Sequence, residues 1–439
     1  MLKPLTADIR PDRRALTLAE YEKAGGYQGL KKALAQTPVQ VQQAVTASGL
    51  KGRGGAGFPT GMKWSFVPMM AGAGGAGAAA DGGHGTPLHS GGHRYLVVNA
   101  DEKEPGTMKD RWLLEGNPHQ LIEGALIAAW AIQADIAYVF LRREYTQAGE
   151  ALARAIEEAR QAKYIGANVL GSPWSLTMRL HLSVGRYMCG EESGLLNALE
   201  GRRATPRAKP PFPQVSGLWG RPTVVNNVET LSNVPHILRE GADWYKALSP
   251  GSDPGTKLYG VSGNLVQPGL WELPMGTTAR QIIDLAGGMK DGLKLKGFLP
   301  GGASTDFLTA DQLDTKMDFD SVAKAGSRLG TGTMIVLDDH TCPVGMVLSL
   351  EKFFARESCG FCTPCREGLP WVARTLQALE DGKGEMKDLE ILQQQTVMMA
   401  PGRTFCALAP GAVEPLQSAL KLFRADFEAH VHEKRCPYK

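Results

Sequence analysis

The chain has 439 residues, which at about 100 to 200 residues per domain points to roughly two to four domains with sizeable cores. Its 48 basic and 45 acidic residues leave a net charge of +3, so composition gives no electrostatic reason to expect nucleic acid. No stretch reaches the roughly 18 uninterrupted apolar residues of a membrane span, and MLKPLTADIRPDRR lacks the apolar core of a secretory signal; a cytoplasmic chain, peripheral if it works at a membrane, is expected.

In chain order, the first 50 residues read as polar helices, with apolar residues at helical spacing from Val39 to Ser48. Gly52-Arg53-Gly54-Gly55-Ala56-Gly57 is too glycine-rich for a helix interior. The run 71–92, mostly Gly and Ala, reads as a flexible loop that cannot bury a core. Arg94–Val98 and Ile136–Leu141 read as buried strands, Leu176–Leu182 as an alternating one, with helices predicted over Pro118–Ile132, Thr146–Lys163 and Glu191–Glu200. Strands separated by helices predict βαβ units and a largely parallel sheet, which binds ligands at the carboxyl ends of its strands. From about Lys257 the rhythm changes to a hairpin (Leu258–Val261, Leu270–Leu273), a helix near Thr278–Ala286 and short strands near Leu295–Leu299 and Thr333–Leu337. Beyond Pro343 four helices are predicted, Val344–Arg356, Gly368–Leu379, Met386–Met399 and Ala412–His430, which suggests a bundle.

The seven cysteines are odd in number and uneven in spacing, unlike a secreted disulfide framework. Cys359, Cys362 and Cys365 form C-x2-C-x2-C, and Cys406 lies in a loop between predicted helices. Three thiolates in one tight loop with a distant fourth suit a [4Fe–4S] cluster, which needs four. The competing assignment, a zinc site made of four cysteines, usually shows two separated pairs. Cys342 and Cys436 read as ordinary thiols.

Gly52-x-Gly54-x-x-Gly57 matches G-x-G-x-x-G but follows a helical segment, not a strand, so it is no ordinary dinucleotide fingerprint. Its glycines still let backbone N–H groups approach a phosphate or flat ring, with Arg53 and Lys63 adding charge and Phe58, Trp64 and Phe66 aromatic faces; a tight structural turn is the plainer alternative. Asn99, Asp101, Glu102 and Glu104 follow a buried strand, at the ligand-binding end of such sheets, or else form a solvated loop. Gly185–Glu192 leads into a helix whose N-terminus suits a phosphate, unless Glu191 and Glu192 simply favour the helix dipole. Lys209–Pro213 is a rigid loop bearing Phe212, and Thr223–Asn227 a strand ending in two amides.

Taken together, GRGGAGFPTG, NADEKEPG, GRYMCGEE, KPPFP, NNVET, ESCGFCTPC and the later FC, in that order, resemble the flavin- and NADH-binding subunit of bacterial NADH:quinone oxidoreductase, respiratory complex I, from about residue 20 to about 430. The resemblance implies an α/β multidomain fold in four parts that agree with the reading along the chain: an N-terminal helical region and glycine loop over 1–60, a Rossmann-like FMN- and NADH-binding domain over 61–247, a ubiquitin-like α+β domain over 248–340, and a four-helix bundle with the Fe–S cluster over 341–439. It implies FMN held by Gly52, Arg53, Gly54, Gly55, Ala56, Gly57, Lys63, Asn99, Asp101, Glu104, Tyr187, Gly190, Glu191, Thr223, Asn226 and Asn227. NAD(H) would stack over the flavin with Phe58, Phe66 and Phe212 around its adenine end and Glu192 and Lys209 in contact. Glu104 and Tyr187 are the residues assigned to the reaction itself. The four cysteines match the family's [4Fe–4S] ligands one for one. This chain departs from the family pattern in its long Gly/Ala run, in Lys103 at a usually small polar position, and in Ser193-Gly194 where Thr-Ala is expected.

The implied reaction is hydride transfer from NADH to FMN, then single-electron steps to the cluster, with the cofactors carrying the chemistry and the protein positioning them. A [2Fe–2S] partner subunit and a large Fe–S subunit would take the electrons toward quinone, with the whole on the cytoplasmic side of the inner membrane. Related flavin subunits serve NAD-linked hydrogenases and formate dehydrogenases, which usually carry extra N-terminal or ferredoxin-like segments. A non-catalytic metal-binding scaffold is the alternative of another class.

Overall fold

A computed structural model describes residues 2–69, 92–183 and 185–439; of the Gly/Ala run, all but Gly92 lies outside them.

Successive side chains along a strand point to opposite faces, and three of the four strands of the first sheet are covered on both. This sheet comprises β1 (Tyr95–Ala100), β2 (Ile136–Leu141), β3 (Thr177–Leu182) and β4 (Thr223–Asn227), all parallel, in the order β3-β2-β1-β4. Leu96, Val98 and Ala100 of β1, with Ala137, Val139 and Leu141 of β2, enter the large core. Tyr95, Val97 and Phe140 point the other way, onto Leu195, Leu196 and Leu199 of the helix Glu192–Leu199. On the large-core side lie the helices Pro118–Ala131 and Val228–Glu240. A Cβ on Gly124 would sit 2.0 Å from the Leu231 carbonyl, so only glycine lets these two helices cross so closely. The N-terminal helices join the same core through Tyr27, Leu30, Val41 and Val45. The last of them, Pro38–Ser48, opens with a reciprocal Thr37–Gln40 capping box and ends at Gly49, φ +70°.

The strand order reverses between β1 and β4: β2 and β3 lie on one side of β1, and β4 on the other. This leaves a crevice at their carboxyl ends, where Asn99 of β1 pairs in register with Asn227 of β4.

The second sheet is mixed, in the order β6-β5-β9-β7-β8, from β5 (Thr256–Ser262), β6 (Gly269–Pro274), β7 (Leu295–Leu299), β8 (Leu308–Thr309) and β9 (Thr333–Asp338). The expected hairpin is present as antiparallel β5 and β6. The C-terminal helices are Pro343–Glu357, Thr363–Glu380, Met386–Met398, Leu408–Leu422 and Arg424–Glu433. The expected single helix from Ala412 to His430 is interrupted at Phe423, where φ/ψ of −120°/31° leaves the helical region. Its ring is drawn into a T-shaped contact with Phe307, 5.3 Å between centroids, so packing overrides helix propensity there. Leu299, Ala303, Phe307 and Leu337 of the second unit share the bundle's core. No helix among the described residues is long and apolar enough to cross a membrane.

Candidate functional site

At the crevice the glycine loop closes against β4. The Gly52 N–H donates to the Phe58 carbonyl (2.8 Å), which pinches the loop. A Cβ on Gly54 would lie 3.0 Å from Asn227 Cβ, and one on Gly57 (φ +67°) 2.5 Å from Phe319. The backbone N–H groups of Gly54, Gly55, Ala56 and Gly57 make no hydrogen bond among the described residues, which leaves a row of donors suited to an anionic phosphate. Arg53 does not supply the charge expected of it. Its side chain is buried and turned away, donating to Tyr245 Oη (3.2 Å) and to the carbonyls of Pro254 (2.9 Å) and Thr256 (3.3 Å). It braces the loop against the second unit. Lys63 remains at the crevice: its ammonium donates to the Val225 carbonyl (2.9 Å) and pairs with Glu192 (2.7 Å).

Of the two amides ending β4, Asn226 Oδ1 accepts from the buried Trp64 indole (2.9 Å). Asn227 caps the helix that follows, accepting from the Glu229 N–H (3.0 Å), and donates to Asp110 (2.6 Å). Thr223 lies at the opposite end of β4. Four residues at about 3.3 Å each put it about 13 Å from the crevice, and its hydroxyl is spent on Leu218 N–H and Arg221 carbonyl. The assignment of Thr223 to the cofactor is therefore corrected.

After β1, Asp101 accepts from Ser183 Oγ (2.7 Å) and lies 3.3 Å from Lys103 Nζ. Lys103, the departure noted from the family pattern, thus serves as the counter-charge. Burial still raises the Asp101 pKa, and its Oδ2 is buried without a partner, an acceptor facing the crevice region with capacity for a ligand donor. Glu104 reaches further. One carboxylate oxygen accepts from Tyr187 Oη (2.6 Å) and the other from the Ser304 N–H (2.7 Å). Burial, and then Glu104, push the Tyr187 hydroxyl far above its ordinary range, so it stays protonated and donates. Ser304 escaped the sequence reading; the preceding Gly301-Gly302 pair was its one signal. Gly302 has φ +106°, and a Cβ there would lie 2.6 Å from Glu104 Cγ.

Glu191 is the N-cap of the helix Glu192–Leu199, accepting from the N–H groups of Ser193 (2.8 Å) and Gly194 (2.9 Å). That helix end is capped internally and is not free for a phosphate as expected. Lys209 bridges Glu191 and Glu192, 3.1 Å from each. Burial opposes the Glu192 charge, but Lys63 and Lys209 outweigh it and hold the carboxyl below its ordinary value. Gly190 faces open space. Phe58 and Phe66 are exposed with ring centroids 6.2 Å apart, and Phe212 is 55% exposed; such wet aromatic faces are available for stacking. Cys189 is wholly buried, and burial pushes its thiol up to about 12.

The four expected cysteines line one small cavity, together with Met188, Pro206, Phe361, Thr404, Phe405, Leu408 and Ala409. Burial, and then the other thiols, push Cys406 up to about 11 and leave Cys365 raised to about 12. Thiols raised this far give up their protons only to a strongly positive partner, a role that iron fills. The loop is tied to the flavin side: Arg186 donates to the carbonyls of Arg356 (3.0 Å) and Ser358 (3.3 Å), the Tyr187 N–H to Glu357 (3.0 Å), and Arg203 to the Cys359 carbonyl (3.0 Å).

Three families match this chain: Nuo51 FMN-binding domain over residues 45–236, SLBB domain over 258–306, and NADH-ubiquinone oxidoreductase-F iron-sulfur binding region over 345–430. The F subunits of NADH-quinone oxidoreductase from Salmonella typhimurium and from Escherichia coli are each 53% identical over 98% of this chain and 93% of their own length; the Streptomyces coelicolor protein of the same name is 45% identical over 100% of this chain and 93% of its own. Among solved structures, NAD+-reducing [NiFe]-hydrogenase in the H2-reduced state is 36% identical with a TM-score of 0.80, covering 95% of this chain and 67% of that one.

Proposed function

The chain belongs to the family of NADH-quinone oxidoreductase F subunits, and from that premise we propose how its residues carry out NADH oxidation and electron entry into respiratory complex I. FMN, when bound, takes two electrons from NADH as a hydride and releases them singly, as a [4Fe–4S] cluster requires. We assign the FMN phosphate to the free N–H groups of Gly54–Gly57 and the flavin's polar edge to Asn99, Asp101 and Asn226. Lys63, Glu192 and Lys209 form the polar wall of the NADH site, and Phe58, Phe66 and Phe212 its stacking faces. Glu104, held from two sides, keeps a fixed carboxylate at the crevice, while Cys359, Cys362, Cys365 and Cys406 hold the cluster.

The observation that carries this reading is the single turn Tyr187–Gly190. Tyr187 donates to Glu104 on the flavin side, and its neighbour Met188 lines the cysteine cavity. Adjacent residues are about 3.8 Å apart, so one turn forms the wall between both cofactor sites. Phe361 and Phe405 are both exposed beside that cavity, with ring centroids 4.8 Å apart; we propose that electrons leave through this face and that [2Fe–2S] and larger Fe–S subunits dock near there, on the cytoplasmic side of the inner membrane. The solved hydrogenase likeness keeps a diaphorase reading in view, but the stronger identity over nearly whole F-subunit chains favours complex I.

The test is an anaerobic NADH titration of the full-length reconstituted chain, followed by visible absorbance and low-temperature EPR. Bleaching of the flavin band together with a reduced [4Fe–4S] signal is expected. A protein that holds zinc in place of iron, shows no flavin spectrum and ignores NADH would mean a scaffold.

A further inference from the structure

At the far end of the bundle lies a second group of ligating side chains: Cys342, Glu380, His430 and Cys436, whose ligand atoms are all within 4.8 Å of one another. Cys342 Sγ is 3.0 Å from Glu380 Oε1 and 3.4 Å from His430 Nε2. His430 Nε2 is 3.3 Å from the same Glu380 oxygen. The residues come from four places. Cys342 caps the start of the helix Pro343–Glu357, Glu380 ends Thr363–Glu380, His430 belongs to Arg424–Glu433, and Cys436 follows that helix. Glu380, His430 and Cys436 are buried.

We propose that these four side chains hold one structural Zn²⁺ ion. Two thiolates, an imidazole and a carboxylate are a complete tetrahedral donor set for zinc, and the sulfurs disfavour Mg²⁺ and Ca²⁺. The surroundings orient the donors. His430 Nδ1 lies 2.7 Å from the Asp426 carbonyl, so in the neutral ring that nitrogen carries the proton and Nε2 presents its lone pair to the site. Nε2 and Glu380 Oε1 are then two acceptors 3.3 Å apart, an arrangement that a cation between them relieves. The Gly345 N–H donates to Cys342 Sγ (3.2 Å), which fixes where that sulfur sits. Two thiolates and one carboxylate carry three negative charges; Zn²⁺ supplies two positive ones, and the Lys439 ammonium, 2.7 Å from Glu380 Oε2, the third.

The position decides the role. The 15-residue helix Pro343–Glu357 separates Cys342 from the iron–sulfur loop by about 22 Å at 1.5 Å per residue. With four protein ligands the ion has no open coordination position. It acts as a staple that fastens the segment after the last helix to the ends of two others, outside the electron path.

The test uses the full-length chain with its flavin and cluster in place. Elemental analysis is expected to find about one zinc per chain beside the cluster iron, and zinc-edge X-ray absorption to show two sulfur neighbours at about 2.3 Å plus two lighter ones. Cys436→Ser is expected to lose most of the zinc and keep its iron, flavin and NADH:ferricyanide activity. Four results would overturn the proposal: no zinc even after incubation with excess Zn²⁺; four sulfur neighbours, which would place zinc at the cluster cysteines; zinc retained in a Cys342→Ser/Cys436→Ser double variant; or a Cys342–Cys436 disulfide in protein alkylated anaerobically. Should Cys436→Ser fail to fold, the absorption edge of the unaltered protein decides alone.

Discussion

Glu104 shows how much one side chain depends on distant sequence. Its carboxylate is fixed by Tyr187 and by the Ser304 N–H, residues from three separate stretches of chain. A hydrogen bond to a charged group contributes about 1.5–3 kcal/mol, so Glu104→Gln and Tyr187→Phe are each expected to lower kcat/KM for NADH by about 10- to 100-fold. Because both remove the same contact, the double variant should lose little more than the worse single one. NADH:ferricyanide kinetics on the cycle measure this. Wild-type kinetics in Glu104→Gln would defeat the role given to this carboxylate.

The helix Val228–Glu240 begins at the crevice with Asn227 as its cap, runs through the main core as far as Leu238 and emerges at Arg239 and Glu240. Burial first, then the nearby Arg239 charge, pull its His236 down to about 3. The sign of the consequence is fixed by linkage. The unfolded chain takes up a proton below about pH 6.5 that the native imidazole refuses, so stability falls as pH drops through that value and levels off only near the folded value. For this one group the loss between pH 7.5 and 5.5 is about 1.4 kcal/mol. His236→Gln, which keeps an amide beside Gln120, is expected to flatten that part of the profile. Thermal melts of both proteins across the range would show it, and parallel curves would count against it.

Across the whole molecule, the crevice holds together because the two sheet units are joined by buried charge. Glu229, just after β4, pairs with Lys109 and with Lys257 of β5, 3.0 Å from each, and accepts from the Leu258 N–H (2.8 Å). All three charged side chains are essentially inaccessible. Burial, partly offset by Glu229, pulls Lys257 down to about 8, so it still carries its charge at pH 7. Glu229→Ala would strand the buried Lys257 ammonium, while Lys109 would keep Asp110, 2.7 Å away. Removing one partner of a buried pair typically costs about 3–5 kcal/mol, and a denaturation midpoint lowered to that extent, with earlier release of flavin, is the expected outcome. A variant as stable as the parent would mean that the units are held by apolar packing alone.

The features legible in the chain alone were local and periodic. The continuous apolar runs of β1 and β2 marked buried strands, the C-x2-C-x2-C spacing with Cys406 marked the cluster cavity, and the strand-end clusters marked the crevice. These can be read because apolar runs and ligand spacing are set by neighbours in the chain. Packing in space decided the rest. Arg53 turns into a brace and Thr223 falls at the wrong end of its strand because partners hundreds of residues apart, or the direction of a strand in space, settle such matters. The same holds for Ser304 under Glu104 and for Lys103 beside Asp101. Cys342 and Cys436 read as unrelated thiols in the chain; helix packing alone sets them with Glu380 and His430 around one point.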